Sequence, residues 1–406
     1  MASKTCPAGA HLQVDLISPE FHANPFPALT HHRTTAPVSR IPFPLGGEVW
    51  FVTRYEDALQ VLKDPRFSVE PQRPGLKAAN TDLPFMLLFN GSMVASDPPA
   101  HTRLRGLVSK AFTARFVEDL RPRIQEIADR LIDDVEGRGQ MDLIDDFASI
   151  LPVIVIAEML GVPTEHHHAI RQWSKAIFDA LAGDTSRACA DKLQEFGVYT
   201  MNMFKRKRAE PRQDLISQLV QVEENGSRLS DEELVAMIAL LIFAGHETTV
   251  NLIGNGMVAL FTHPEELARL RQDPTLIPAA VEEILRFHGS VTGPGPRYAT
   301  EDVELGGQLI KKGEVVLVSL AAANRDETAF ERPEDFDIAR AENKHITFGQ
   351  GIHFCLGAPL ARLEMQIALD TLLKRLPNLR LAVLPETLRW RGNPHTRGLL
   401  TLPVTF

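Results

Sequence analysis

Cysteine is scarce in this 406-residue chain: Cys6, Cys189 and Cys355 are all it has. An odd, sparse set does not make a secreted disulfide framework, and with no C-x-x-C pair there is neither a zinc cage nor a dithiol redox motif. Long apolar runs are missing too. The longest, Leu234 to Gly245, falls well short of the roughly 20 residues that a membrane span needs. The start, MASKTCPAGAHLQ, lacks the apolar stretch of a signal peptide or anchor. Basic charge is not in excess: 43 Lys and Arg stand against 52 Asp and Glu, a net charge of -9. That balance argues against a general affinity for nucleic acid or anionic membrane. No repeat with a period of about 20 to 50 residues, no low-complexity segment and no Ser/Gly-rich linker divides the chain. These exclusions predict a soluble protein of a reducing cytoplasm, with 44% apolar residues to build its core. The expected organisation is an N-terminal extension over 1–24, partly flexible, and one domain over 25–406.

What is present reads as mainly helical with a small β portion from both ends. EVWFVTR (Glu48 to Arg54) alternates like a half-buried strand and leads into YEDALQVLKDP, a helix stopped by Pro65. From Ala100 to about Arg375 helical patterns dominate, interrupted by strand-like VELGG, QLI and EVVLVSL; the tail from Leu379 is strand-like again. One helix stands out. Ser230 with Glu233 makes a capping box and Leu229 with Leu234 a hydrophobic staple, so a helix starts at Asp231 and meets no stop before His263-Pro264. About 31 residues at about 1.5 Å each give roughly 46 Å. Its middle, LIFAGHETTV, is apolar on nearly every face and then inserts Gly245, Glu247, Thr248 and Thr249. Glycine costs about 1 kcal/mol inside a helix, and such a local inconsistency points to a functional site.

The stretch ITFGQGIHFCLGAPLAR, residues 346 to 362, holds Cys355 among glycines and just before a helix. Free amides and the positive end of the dipole at a helix N-terminus favour thiolate over thiol. A thiolate held this way is a ligand for haem iron. A lone cysteine is equally at home as a small buried hydrophobe, and the spacing around it decides. FGQGIHFCLGAPLAR resembles the haem-binding loop of the cytochrome P450 superfamily, F-x-x-G-x-x-x-C-x-G, with Phe348, Gly351, Cys355 and Gly357 on the pattern. AGHETT (Ala244 to Thr249) is similar to its oxygen-binding segment, EILR (Glu283 to Arg286) to its E-x-x-R motif, and DPPAHTRLR (Asp97 to Arg105) to the propionate-binding helix of soluble bacterial members. Four motifs in the family's order cover nearly the whole chain.

The resemblance implies a cytochrome P450 fold, with haem b (iron protoporphyrin IX) between the long central helix and the helix after the cysteine loop. It implies Cys355 as the iron ligand, with Phe348 shielding the sulfur. His101, Arg105, Arg297 and His353 become partners of the haem propionates, since buried carboxylates need Arg or His donors. Ala244, Gly245 and Gly357 leave room for the ring. Glu247 and Thr248 become the acid and alcohol that deliver protons while dioxygen is activated; Thr248 has the alternative of bonding back to the Ala244 carbonyl. Glu283 and Arg286 form a structural pair. The arginine that the family often adds from a P-E-R-F segment is Asp335 here, in PEDF, and Arg340 or a neighbour takes its place. Consecutive helical residues point about 100° apart, so His166 to His168 cannot chelate one ion and read as a solvated helix start.

The expected activity is that of a monooxygenase that inserts one oxygen atom from O2 into a hydrophobic organic substrate, by hydroxylation or epoxidation. With no flavin or iron–sulfur segment before Phe406, electrons are expected from a ferredoxin or flavodoxin and its NAD(P)H-dependent reductase, docking where Arg103, Lys110 and Arg362 offer positive charge. No nucleic-acid or membrane partner is expected, and the chain reads as a monomer. Family position puts the substrate pocket at Phe85, Phe89, Met93, Leu240, Leu241, Ala244, Gly293, Pro294, Gly295, His395 and Thr396. These are mostly apolar or small, which suits fatty acids, terpenoids, steroids or macrolide-like polyketides. Two other functions stay open: a thiolate-haem enzyme that uses peroxide or does no oxygenation, and a haem-based sensor. The distal alcohol Thr248 speaks against the first, and the lack of an output domain against the second.

Overall fold

The computed structural model describes residues 14–43, 47–70, 89, 91–181, 186–222, 226–392 and 395–406. The chain divides into two compact units, each assembled from separate stretches. The first takes 1–79, 254–355 and 383–402; the second takes 80–253, 356–382 and 403–406. Because each unit is discontinuous in sequence, no linker marks the division.

The first unit is built on a five-stranded sheet in the order Val38–Pro42, Glu48–Val52, Val315–Val318, Arg297–Ala299, Phe67–Ser68. Glu48–Val52 pairs antiparallel with Val38–Pro42 and parallel with Val315–Val318. Its alternation sends Trp50 and Val52 to a core cluster with Tyr55, Leu62, Val316 and Val318, as the sequence suggests. Val49 and Phe51 are buried as well, so the strand is covered on both faces rather than half-buried. The cover comes from the N-terminus: Leu16, Phe21 and Leu29 pack with Val49, Phe51 and Leu317. Residues 14–24 pack as part of this unit. The short helix Pro19–Ala23 is pinned by Arg397, whose Nε donates to the His22 carbonyl at 2.7 Å and whose Nη2 donates to that of Ala23 at 3.0 Å. Arg397 is buried and stacks on Trp390, 3.4 Å from the ring centre, at the turn end of the hairpin Trp390–Gly392/Arg397–Leu399.

Behind the cysteine loop lies the ion-pair network. Glu283 and Arg286, three apart on the helix Ile277–His288, are both fully buried and joined at 2.7 and 2.8 Å. Arg340 supplies the third member, its Nε 3.0 Å from Glu283 Oε2. Asn343 Nδ2 and the Asp337 amide also donate to that carboxylate, at 3.1 and 3.0 Å. Asp335 contributes through its carbonyl, which accepts from Arg286 and Arg340, both at 2.9 Å. A buried charge is tolerated only when its lone pairs are met in this way.

The second unit is helical, with Ala100–Ala111, Arg121–Asp133, Leu151–Met159, His167–Leu181, Arg187–Ala209, Leu215–Gln221 and Ala358–Arg375 as its main helices. It also has a small sheet in the order Gln140–Asp142, Pro403–Thr405, Arg380–Leu381. The long helix runs over Asp231–Thr262, 32 residues. Its capping box forms: the Glu233 amide donates to Ser230 Oγ at 3.2 Å, and the Ser230 amide to Glu233 Oε2 at 2.9 Å. His167 and His168 open the helix His167–Leu181, and among the described residues no group of three or more potential ligands is placed to hold a metal ion.

Candidate functional site

The cysteine loop hangs from the first unit by a chain of hydrogen bonds. Asn324 Oδ1 accepts from the Ile346 amide at 2.8 Å, its Nδ2 donates to Thr347 Oγ1 at 2.8 Å, and that hydroxyl donates to the Leu285 carbonyl at 2.7 Å. The backbone then doubles back. Gly349 and Gly351 have φ of 70° and 74°, in the left-handed region that glycine enters without steric cost. At Gly351 a Cβ would also lie 2.6 Å from the Leu62 carbonyl oxygen, so no side chain fits. The fold closes with the Cys355 amide donating to the Phe348 carbonyl at 2.9 Å. Phe348 sits between His345 and Phe354, with ring centres at 6.0 and 6.3 Å. Cys355 is exposed, and Ile352 and Phe354 beside it are 50% and 38% exposed. The next helix begins at Ala358, capped by Gly357.

Other expected site residues fall in the same unit. Arg297 is buried at the start of its strand, with Nη1 donating to the Gly295 carbonyl at 3.1 Å. His353 ends the short turn Gly351–His353. The loop bearing Gly293, Pro294 and Gly295 is stitched to the tip of the C-terminal hairpin. The His395 carbonyl accepts from the amides of Thr292 at 2.8 Å and Gly293 at 3.5 Å, and Thr396 bridges to Val291. Burial pushes the His395 imidazole below its ordinary pKa. Gly293 and Pro294 also line a small cavity with Leu16, Phe21 and His22. A Cβ on Gly295 would have nothing within 4 Å.

The remainder lie in the second unit. His101 and Arg105 stand one turn apart on Ala100–Ala111. Burial, and then the Arg105 charge, hold the His101 pKa below its usual value. Phe89 and Met93 are buried, with Phe89 5.8 Å from the Phe243 ring centre. Leu240 is buried and Leu241 half-buried on the long helix. Ala244 is exposed although the helix around it is mostly buried. Gly245 lies against Ile156, where a Cβ would come to 3.2 Å of Cδ1. Thr248 Oγ1 donates to the Ala244 carbonyl at 2.5 Å, the back-bond weighed from the sequence, and Glu247 is buried. Phe85 and Cys6 lie outside the described residues. Cys189 is buried, its Sγ 3.3 Å from the Ala176 carbonyl. Arg103 is ion-paired with Glu233 and donates to the Arg228 carbonyl at 3.3 Å. Sequence reasoning missed Asn324 and Thr347, which hang the loop, and His246, which lies inside a recognised motif.

Each unit by itself carries residues suited to haem. The first unit offers an exposed thiol at the end of a loop that leaves no room for a side chain at Gly351, together with the buried cation Arg297. The second offers a small exposed residue, Ala244, midway along an apolar helix, and His101 with Arg105 on one helical face. Comparison with known proteins agrees. The cytochrome P450 family model matches residues 31–403. "Polyketide biosynthesis cytochrome P450 PksS" of Bacillus subtilis is 44% identical over 399 residues, covering 95% of this chain and 97% of that protein. The solved PksS structure superposes with a TM-score of 0.89, covering 97% of this chain and 99% of that one. "Vitamin D(3) 25-hydroxylase" of Pseudonocardia autotrophica is 45% identical over 402 residues, 97% of this chain and 96% of that protein. The myxobacterial cytochrome P450 CYP267B1, solved with myristic acid, is 43% identical with a TM-score of 0.89, covering 96% of this chain and 98% of that one. A cysteine loop of this build, the buried Glu283–Arg286–Arg340 network and matches along nearly the full length lead to one assignment: the chain belongs to the cytochrome P450 family.

Proposed function

We propose that this cytochrome P450 monooxygenase binds haem b through the Cys355 thiolate and works in the cytoplasm on a hydrophobic organic substrate. The observation that carries the reading is the presentation of Cys355, exposed at the end of a loop whose reversal depends on Gly349 and Gly351 and whose amide is tied to Phe348. His101, Arg105, Arg297 and His353 would hold the propionates by charge-assisted hydrogen bonds. Bound haem supplies the activation of dioxygen with two electrons. Thr248 Oγ1 keeps its own proton on the Ala244 carbonyl, which leaves the oxygen lone pairs to accept a hydrogen bond from water and hold it in place. Glu247, buried one residue earlier, exchanges protons with that water. Electrons come from a ferredoxin or flavodoxin with its NAD(P)H-dependent reductase, and Lys110 and Arg362 offer charge to an acidic partner.

A hydrophobic substrate suits both the lining residues and the relatives. Phe89, Met93, Leu240 and Leu241 are apolar, and Gly295 adds no bulk. Relatives are named for polyketide biosynthesis and for vitamin D(3) 25-hydroxylation, and one is solved in complex with myristic acid, which supports a hydrophobic substrate here. The test is a turnover under oxygen-18 with myristic acid as probe, NADPH, and a bacterial ferredoxin with its reductase. One labelled oxygen in the product and one in water is the expected result. Product oxygen drawn from water, or product formed without NADPH from peroxide alone, would overturn the proposal.

A further inference from the structure

His246 sits between Gly245 and Glu247, and nothing in the reading above uses its imidazole. Its Nδ1 lies 2.7 Å from Ser174 Oγ and its Nε2 3.2 Å from the Ser149 carbonyl oxygen. A carbonyl only accepts, so Nε2 carries the proton and donates; Nδ1 pairs with the Ser174 hydroxyl, which accepts from it in the cation and donates to it in the neutral ring. All three residues are buried: His246 is 7% exposed, Ser174 2% and Ser149 8%. The partners come from separate segments. Ser149 follows the π-helical turn Ile144–Ala148, and Ser174 stands on the helix His167–Leu181. One imidazole thus ties the long helix to two other elements.

The stretch it holds stays α-helical but turns two side chains back on its own carbonyls. The carbonyls of Ala244 and Gly245 accept from the side chains of Thr248 and Thr249, at 2.5 and 3.0 Å. Hydroxyl bonds to the carbonyl four residues back compete with the backbone ladder and bend helices. Two of them fall in succession at Ala244–Thr249, and Gly245 itself lies against Ile156. A glycine sliding on a methyl group does not define an angle. Two directional hydrogen bonds to one ring do.

We infer that His246 is a positioning residue, which sets the rotation of the long helix where Glu247 and Thr248 project. The inference rests on the haem-thiolate reading for its catalytic consequence, though not for the clamp itself. Side-chain atoms about 5 to 6 Å from a helix axis move by about 2 Å when the helix turns by about 20°. A displacement of about 1 Å can cost about a hundredfold in rate when a reacting group must be held in place.

The experiment uses the holoenzyme with myristic acid as probe and compares wild type with His246→Leu, His246→Gln, Ser174→Ala and the double variant Ser174→Ala/His246→Leu. In His246→Leu, amide hydrogen exchange over 243–251 should rise about tenfold while Ala358–Arg375 keeps its protection. Product per NADPH should fall about tenfold, with the electrons recovered as hydrogen peroxide and the probe's spectral Kd within about twofold. His246→Gln keeps a donor and an acceptor and should recover most of the coupling. Ser174→Ala should lose about threefold, and the double variant should be no worse than His246→Leu. Unchanged exchange and coupling in His246→Leu would overturn the inference. So would loss of protection along the whole chain, or a glutamine variant as uncoupled as the leucine one. If His246→Leu does not accumulate folded, Ser174→Ala alone decides, and unaltered peroxide release there overturns it. A wild-type protein without the red-shifted band of a thiolate-bound haem would remove the catalytic reading, while the exchange data would still decide the clamp.

Discussion

Glu364, on the helix Ala358–Arg375, should make the protein lose stability as the pH rises, and Glu364→Gln should abolish that loss. The side chain is 2% exposed, and among the described residues its Oε2 has no hydrogen-bond partner. Burial pushes its carboxyl from an ordinary 4.5 up to about 8. The native state therefore holds a proton that the unfolded chain has released between those two values. Stability falls by about 1.4 kcal/mol per pH unit across that window. The penalty is absent below about pH 4.5, amounts to about 3 kcal/mol at pH 7, and is complete above about pH 8 at roughly 5 kcal/mol. An unfolding entropy of about 2.1 cal/mol/K per residue makes each 1 kcal/mol worth about 1 °C in a chain of this length. The glutamine keeps the shape and does not titrate, although its buried amide has a desolvation cost of its own, about 1 to 3 kcal/mol. The slope is therefore the diagnostic and not the absolute value. Measured by circular dichroism at pH 5, 6, 7, 8 and 9, the Tm of the variant minus that of wild type should grow by about 4 to 5 °C from the lowest pH to the highest. Parallel curves would refute the reasoning and mean that the Glu364 carboxylate finds a charged partner.

Deleting residues 1–24 should lower the Tm by several degrees, because it uncovers Val49 and Phe51 and removes two carbonyl acceptors of the buried Arg397; lost apolar cover of that kind costs about 2 to 5 kcal/mol. An unchanged Tm would return that segment to a dispensable extension. Thr248→Ala should keep haem and bind ligands but divert electrons to hydrogen peroxide, so that product per NADPH falls while the spectral Kd holds. Unaltered coupling would reduce Thr248 to its bond with the Ala244 carbonyl. Gly295→Phe meets open space at its Cβ and should fold. It should weaken a bulky steroid or macrolide by roughly tenfold while sparing a linear fatty acid, since about 1.4 kcal/mol of overpacking is a factor of ten. Equal loss for both ligands would show that this loop does not border the cavity.

Local signals carried the parts of this molecule that were legible in its sequence. Ser230 and Glu233 announce the long helix because a capping box is written in four residues, and the helix starts one residue after it. The glycines around Cys355 mark a backbone that no other residue adopts cheaply, and two of them have positive φ. The sequence points only to Arg340 or a neighbour as the substitute for the missing arginine at Asp335, and the contact with Glu283 singles out Arg340. Illegible parts depend on distant partners. Gln140–Asp142 is too short to show a period of two and becomes a strand only because Pro403–Thr405 pairs with it. Nothing near Glu48–Val52 says that Leu16 and Phe21 cover its second face. Arg103 reads as a surface cation until Glu233, 130 residues later, comes beside it. His246 fell within a recognised motif whose attention went to its neighbours, and the serines that hold it lie 97 and 72 residues away.

The central claim is that Cys355, presented by its glycine loop, ligates haem iron as a thiolate. The most direct measurement is the absorption spectrum of the reduced protein under carbon monoxide for wild type, Cys355→His, Cys355→Ala and Cys189→Ala. Wild type and Cys189→Ala should show the strongly red-shifted Soret band of thiolate-bound haem, and both Cys355 variants should lack it. A band that persists in Cys355→Ala and vanishes in Cys189→Ala would contradict the account.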